Sequence, residues 1–275
     1  MLNIFKKFNI EYFAFVSSDI LRPANERLFC SVPSPAQVIF MLFPYYCGDA
    51  NGKISAYGAV HDYHSFARTV FCELEEYVKK SYEGVFVRGF TDHSPFLECE
   101  GASMAGLGLL GDNSLLITEK YSSYVFIGEL VTTLSKEQLK NEGIPEGTGK
   151  IKECLHCSAC ERACPSGCLQ RGCADLCVSA ISQKKGELNP EEIRLLLECD
   201  SIWGCDRCQW VCPFTVNAKR NGSIYTPIDF FKSSYIEGDP CEIIKNMDND
   251  TFSLYPFAWR KRRTIERNID IIENK

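Results

Sequence analysis

Cys154-Leu-His-Cys157-Ser-Ala-Cys160-Glu-Arg-Ala-Cys164-Pro165 decides the reading of this chain, together with Cys205-Asp-Arg-Cys208-Gln-Trp-Val-Cys212-Pro213. The first run has the Cys-x2-Cys-x2-Cys-x3-Cys-Pro spacing of bacterial ferredoxins. There, three close thiolates grip one 4Fe–4S cube, and the cysteine before proline ligates the other. Two such runs imply a pair of clusters with exchanged ligands. The second run is one cysteine short. A symmetric pattern would place a thiol three residues before Cys205, and that position is Ile202. Cys168, Cys173, Cys177 and Cys199 are all available to complete the set, and spacing does not choose among them. Structural zinc is the rival reading, but zinc sites favour paired Cys-x2–4-Cys knuckles. Disulfides belong to oxidising compartments, to which nothing else in the chain points.

The remaining features set limits. A length of 275 residues allows one large domain or two modest ones. Net charge is −6, so the whole molecule does not attract a polyanion, and contact with nucleic acid needs a local basic patch. The one such run is Arg260-Lys261-Arg262-Arg263, whose ordinary reading is a solvated helix face. Lys6 and Lys7 lie near the start, but Asn9 and Glu11 interrupt the apolar residues there, so a signal-peptide core is missing. The longest apolar run elsewhere, residues 38–43, is too short to span a bilayer. These features predict a cytoplasmic protein with no membrane segment.

Periodicity predicts a buried strand within residues 35–48, closed by Pro44 and Gly48. A helix is expected over 62–80, where Phe66, Val70, Leu74 and Val78 recur at helical spacing. A second buried strand should cover 84–90. Residues 115–117 and 124–130 read as a hairpin around 119–122. Hairpin-like returns favour an α+β fold over a doubly wound sheet. Residues 141–150 have the composition of a linker, and 259–274 should form an amphipathic helix. The expected division is 1–150, 151–220 and 221–275. The Gly106-x-Gly108-x-x-Gly111 string matches a dinucleotide fingerprint, but strand-like residues follow it, so a Rossmann site is rejected.

Several segments, in order, resemble the epoxyqueuosine reductase family. They are Asp62-Tyr63-His64, Phe90-Thr91-Asp92-His93-Ser94-Pro95-Phe96-Leu97-Glu98, Ala105-Gly-Leu-Gly-Leu-Leu-Gly-Asp-Asn113-Ser-Leu-Leu116-Ile117, and Ser123-Tyr-Val-Phe-Ile127-Gly-Glu-Leu130. Cys177-Val-Ser-Ala-Ile-Ser-Gln-Lys-Lys-Gly186 and Gly204-Cys205-Asp206-Arg-Cys208-Gln follow the same pattern.

The resemblance implies a nitroreductase-like cobalamin-binding domain at 1–150 and a ferredoxin-like double-cluster domain at 151–220, followed by a helical tail. It assigns Cys154, Cys157, Cys160 and Cys212 to one cluster, and Cys164, Cys177, Cys205 and Cys208 to the other. Cys168, Cys173 and Cys199 are left over, and free cysteines are commonly small buried hydrophobes. Asp92 matches the family's proton donor, which requires burial to raise its pKa. A capping role at a helix start is the structural alternative. Tyr63, His64, Asn113, Leu116, Ile127 and Asp206 match positions near cobalamin, and the glycines around 108 would let the backbone approach the corrin. The implied reaction deoxygenates epoxyqueuosine in tRNA, with electrons from an external donor of ferredoxin or flavodoxin type.

Departures from the pattern are specific. Asp112 stands where the family has lysine, His61 where it has arginine, and Leu109 where it has an aromatic. The chain stops near Arg267-Asn268, before the HEAT-like repeats that help typical members hold tRNA, which predicts weak tRNA binding. The alternatives are a paralogous reductase of another substrate and a cobalamin-free electron carrier.

Overall fold

Helix α1 (Leu2–Lys7) leads into strand β1 (Phe13–Ser17) and then β2 (Gln37–Pro44), the apolar run seen in the sequence. β2 is buried along its whole length, which is why it reads as continuous rather than alternating hydrophobicity. The computed structural model describes residues 1–274. Helix α2 (Tyr63–Ser81) follows, with Phe66, Val70, Leu74 and Val78 on its buried face as expected. Strand β3 (Val87–Phe90), helix α3 (Glu98–Met104), the short strands β4 (Leu109–Leu110) and β5 (Leu116–Ile117), strand β6 (Val125–Thr132) and helix α4 (Lys136–Asn141) complete this part.

The main sheet has the order β1-β2-β6-β3 and is antiparallel throughout. Val38, Phe40, Leu42, Phe90, Phe96, Ala102 and Val131 form its core with α3. The expected hairpin between 115–117 and 124–130 does not form. β5 pairs back onto β4 instead, while β6 is taken by β2 and β3. The turn at 118–122 is nevertheless real, since Thr118 N–H donates to the Ser122 carbonyl at 2.8 Å. The expected linker is also ordered. Phe15 N–H donates to the Pro145 carbonyl at 2.9 Å, and Gly147 N–H to the Phe15 carbonyl at 2.7 Å, so these residues run along the open edge of β1.

After the cysteine runs begin, the chain is helical: α5 (Ala159–Ala163), α6 (Cys168–Arg171), α7 (Val178–Ser182), α8 (Pro190–Cys199), α9 (Arg207–Trp210), α10 (Pro213–Arg220), α11 (Asp229–Lys232), α12 (Pro240–Asn246), α13 (Asn249–Phe252) and α14 (Arg262–Glu273). Asn189 caps α8 through a reciprocal capping box with Glu192, with Pro190 opening the helix. The expected helix over 259–274 is broken at Lys261, whose φ of 69° separates a 3-10 turn from α14.

Two compact units result, and they do not follow chain order. One contains Met1–Pro44 and Tyr63–His156; the other contains Tyr45–Asp62 and the residues from Cys157 onward. The expected divisions at 150 and 220 were sequential. Residues 45–62 instead join the cysteine-bearing unit. Ser55 N–H donates to the Trp203 carbonyl at 2.8 Å, and Ile202 N–H to that of Lys53 at 2.7 Å. Residues after 220 belong to the same unit because Ile54, Trp203, Ile236, Phe257, Ile265 and Ile269 share one core. Among the described residues, no helix is long and apolar enough to cross a membrane.

Candidate functional site

In the sheet unit, the first turn of α2 and the loop after β3 bring an acid and its partners together. The Tyr63 hydroxyl donates to Asp92 Oδ2, and His64 Nε2 lies 3.7 Å from the same oxygen. Tyr63 is fixed by stacking on Phe126 of β6, with ring centroids 3.8 Å apart. Thr91 Oγ1 donates to the Ile127 carbonyl at 2.8 Å, tying the loop to the same strand. Asp92 adopts the left-handed region with φ 59°, which is uncommon outside glycine though tolerated best by Asp and Asn. It does not cap α3, whose N-cap is Leu97. The expected burial is also absent at Asp92, whose side chain is 57% exposed.

Burial falls instead on two carboxyls that sequence reasoning did not single out. Glu98 opens α3, and its carboxyl accepts a hydrogen bond from the Asp92 backbone N–H. Glu129 pairs with Phe90 on β3 and Phe40 on β2, so pleat alternation sends all three toward α3. Glu129 is 0% exposed, and Ser94 Oγ donates to its Oε2. Glu98 Oε1 and Glu129 Oε1 are buried without a hydrogen-bond partner among the described residues. Burial, then the Asp92 charge, pushes the Glu98 carboxyl up to about 8. Burial, then Glu98, holds Glu129 well above the carboxylate range. A glutamate at an inward position of an apolar strand was the available sequence signal.

The β4–β5 hairpin places the other expected residues. Asn113 Oδ1 accepts from Leu115 N–H at 3.3 Å within its turn. Leu116 and Ile127 lie in the sheet core. A Cβ on Gly108 would sit 2.8 Å from the Ile117 carbonyl oxygen, and one on Gly111 would sit 2.4 Å from Asn113 Oδ1. These glycines let the hairpin close. Asp112 has a partner for its reversed charge: its Oδ1 lies 2.7 Å from His156 Nδ1, and Glu153 faces the other ring nitrogen at 3.3 Å. Asp112, then Glu153, holds the imidazole above its ordinary value. Cys154 Sγ lies within 4.8 Å of the ligand atoms of Asp112 and His156.

In the cysteine-bearing unit, α5, carrying Cys160, packs on α9, carrying Cys208. The cysteines of both runs are free thiols, as are Cys168, Cys173, Cys177 and Cys199. Unbridged thiols at this spacing suit iron–sulfur clusters in chemistry and number. Cys168 and Cys199 are buried, as expected of spare cysteines, yet each touches an expected ligand. Cys168 Sγ is 3.5 Å from Cys164 Sγ, and Cys199 hydrogen-bonds Cys205. Asp206 is buried within the unit. Its Oδ2 accepts from Ala56 N–H at 2.7 Å and its Oδ1 from Gln209 Nε2 at 2.8 Å. It anchors residues 45–62 beside Cys205 and Cys208.

The basic run divides by role. Arg262 donates to the carbonyls of Ile244, Met247 and Asp248 and lies over the Phe252 ring, so it caps α12. The Arg260 guanidinium stacks 3.5 Å over the exposed Trp259 ring.

Fold and site thus define a mixed α/β protein, with an acid-bearing antiparallel sheet unit and a helical unit holding closely spaced thiols. No protein-family model matches the chain. Curated epoxyqueuosine reductases do. The one from Aliivibrio fischeri is 32% identical over 202 residues, covering 72% of this chain and 51% of that protein. The one from Bacillus anthracis is 27% identical over 276 residues, covering 92% of this chain and 67% of that protein. The chain therefore spans from about half to two thirds of these relatives' length. The same fold occurs in epoxyqueuosine reductase from Streptococcus thermophilus, with a TM-score of 0.75 at 24% identity over 98% of this chain and 80% of that one. It also occurs in an epoxyqueuosine reductase crystallised with a tRNA-Tyr epoxyqueuosine-modified stem loop, with a TM-score of 0.75 at 20% identity over 98% of this chain and 79% of that one. The chain belongs to the epoxyqueuosine reductase family.

Proposed function

We propose that this chain is a reductase that removes the epoxide oxygen of epoxyqueuosine in tRNA, leaving queuosine, and that it uses two 4Fe–4S clusters and cobalamin. The sheet unit would then be the nitroreductase-like cobalamin-binding domain, and the cysteine-bearing unit the ferredoxin-like one. The observation that carries this reading is Asp92. In a chain of this family, an acid on a left-handed loop is gripped by the Tyr63 hydroxyl beside His64.

Cys154, Cys157, Cys160 and Cys212 would hold one cluster, and Cys164, Cys177, Cys205 and Cys208 the other. Support comes from their spacing and their state as free thiols. Leu109, Leu110, Val125 and Phe126 are half-exposed apolar residues at the ends of β4 and β6, which suits a broad apolar-faced ring. Tyr63, His64 and Asn113 would flank that ring, with Leu116 and Ile127 behind the surface. When bound, the clusters supply electrons singly and the cobalamin a low-potential centre for breaking C–O bonds.

Opening an epoxide to an alkene takes up two electrons and two protons and releases water. The chain's own residues handle the protons. Asp92 gives one to the epoxide oxygen. The Tyr63 hydroxyl stabilises the carboxylate left behind, with His64 Nε2 3.7 Å from the same oxygen. Electrons would come from a donor of ferredoxin or flavodoxin type. Trp259 with Arg260 and the neighbouring Lys261 and Arg263 offer stacking and charge to RNA.

The test is to incubate anaerobically reconstituted protein, cobalamin and reductant with an epoxyqueuosine-containing tRNA stem loop and to weigh the nucleoside. Loss of one oxygen supports the reading. An unchanged nucleoside, with both clusters and corrin bound, overturns it.

A further inference from the structure

The reaction needs two protons, and Asp92 carries one. When an RNA substrate covers Asp92 and excludes bulk water, a second proton must reach it from the protein side. Three carboxyls influence one another there. Asp92 is exposed, the carboxyl of half-buried Glu98 accepts from the Asp92 backbone N–H and has its Oε1 buried, and Glu129 is fully buried. We propose that Glu98 and Glu129 form a buried carboxyl pair that stores the second proton and returns it to Asp92, an inference resting on the epoxide-reduction reading above.

The surroundings explain why the pair keeps its protons. Glu98 faces Asp92, the Cys99 thiol and Glu129. Glu129 faces Glu98 and the Ser94 hydroxyl, among Phe40, Phe90 and Phe96. Glu100, also on α3, is paired with Arg22. Tyr63 and His64 reach Asp92. Neither buried glutamate has an ion pair with a cation among the described residues, and two adjacent carboxylates in an apolar core cannot both ionise. Glu98 is accordingly pushed up to about 8, and Glu129 is held well above the carboxylate range, so both keep their protons at neutral pH.

The steps balance. Protonated Asp92 gives its proton to the epoxide oxygen as the first C–O bond breaks. The Glu98 proton then passes to the Asp92 carboxylate. The new Glu98 carboxylate is stabilised by the Asp92 N–H, and Glu129 keeps its own proton. Asp92 delivers the second proton as the second C–O bond breaks, and the oxygen leaves as water. The two electrons come from the external donor, and solvent recharges the exposed Asp92 after product leaves. Glu98 and Glu129 act through Asp92 and are positioning residues.

The experiment uses the full chain with clusters reconstituted and compares wild type with Glu98→Gln, Glu129→Gln and Asp92→Asn. Infrared spectra of the protonated carboxyl stretch are taken against pH, and single-turnover rates are taken on the epoxyqueuosine stem loop. Wild type should show a protonated band that is lost near pH 8 and disappears in Glu98→Gln, with a second, more persistent band that disappears in Glu129→Gln. Asp92→Asn should shift the first transition to lower pH. Glu98→Gln should slow turnover by roughly 10²-fold, the low end for general acid catalysis, and should abolish the fall in rate above pH 8. Fully ionised glutamates at neutral pH would overturn the proposal, as would a Glu98→Gln rate that keeps the wild-type inflection. If wild type leaves the RNA unreduced while the Glu98 band still responds to Asp92→Asn, the coupled pair stands and the substrate assignment falls.

Discussion

Asn268 donates its side-chain amide to the Ile202 carbonyl at 2.8 Å and to the Ser182 carbonyl at 2.7 Å. Ile202 is where the second cysteine run lacks its expected thiol. The structure uses that position differently: its side chain joins the core, and its backbone is pinned from α14. Asn268→Ala leaves two buried carbonyls without a donor, at about 1–3 kcal/mol each. The variant should unfold at lower urea concentration and release iron to a chelator faster than wild type. An unchanged midpoint and release rate would remove this anchoring role.

Cluster content comes next. Two ligand sets predict about eight iron and eight sulfide per chain after anaerobic reconstitution. Cys177→Ala should lower iron by about half, and Cys199→Ala should leave it unchanged. The contact between Cys199 and Cys205 makes this comparison decisive. Loss of a cluster in Cys199→Ala but not in Cys177→Ala would transfer the ligand role.

RNA binding should rest on part of the basic run. Neutralising Arg260, Lys261 and Arg263 together should weaken binding to a tRNA stem loop and reduce the slope of log affinity against log salt by about 2. Arg262→Ala should instead lower stability, because it frees the three carbonyls at the end of α12. Binding by filter retention and unfolding by circular dichroism separate the two effects. Tight, salt-insensitive binding would contradict the electrostatic reading.

Glu98 also predicts a pH dependence of stability. Its carboxyl ionises near 4.5 when unfolded and at about 8 when folded. The folded state therefore holds more protons between these values. Stability falls as pH rises through that window, by at most about 1.4 kcal/mol per unit, and Glu98 adds no further change above it. Glu129 contributes with the same sign. Urea midpoints at pH 5 and pH 8 should differ less in Glu98→Gln than in wild type, and the variant should be the more stable at pH 8.

Much of this was legible in the sequence for identifiable reasons. β2 and α2 carry hydrophobic patterns that leave no other solution, and the cysteine spacing is set by cluster geometry. The β4–β5 hairpin was missed because two-residue strands carry little periodic signal, while the glycines that permit it mimicked another motif. Residues 45–62 were assigned to the wrong unit because their partners, Trp203 and Asp206, are distant in sequence. Asp92 was found through its motif, but the burial expected of it lies on Glu98 and Glu129. Their role depends on which strands pair with β6, and a single sequence does not state that.

The most direct test of the account is the single-turnover rate of Asp92→Asn on an epoxyqueuosine-containing stem loop, with iron and corrin content matched to wild type. The account predicts a loss of about 10²–10⁴-fold with both cofactors still bound. A wild-type rate in that variant would contradict Asp92 as the proton donor.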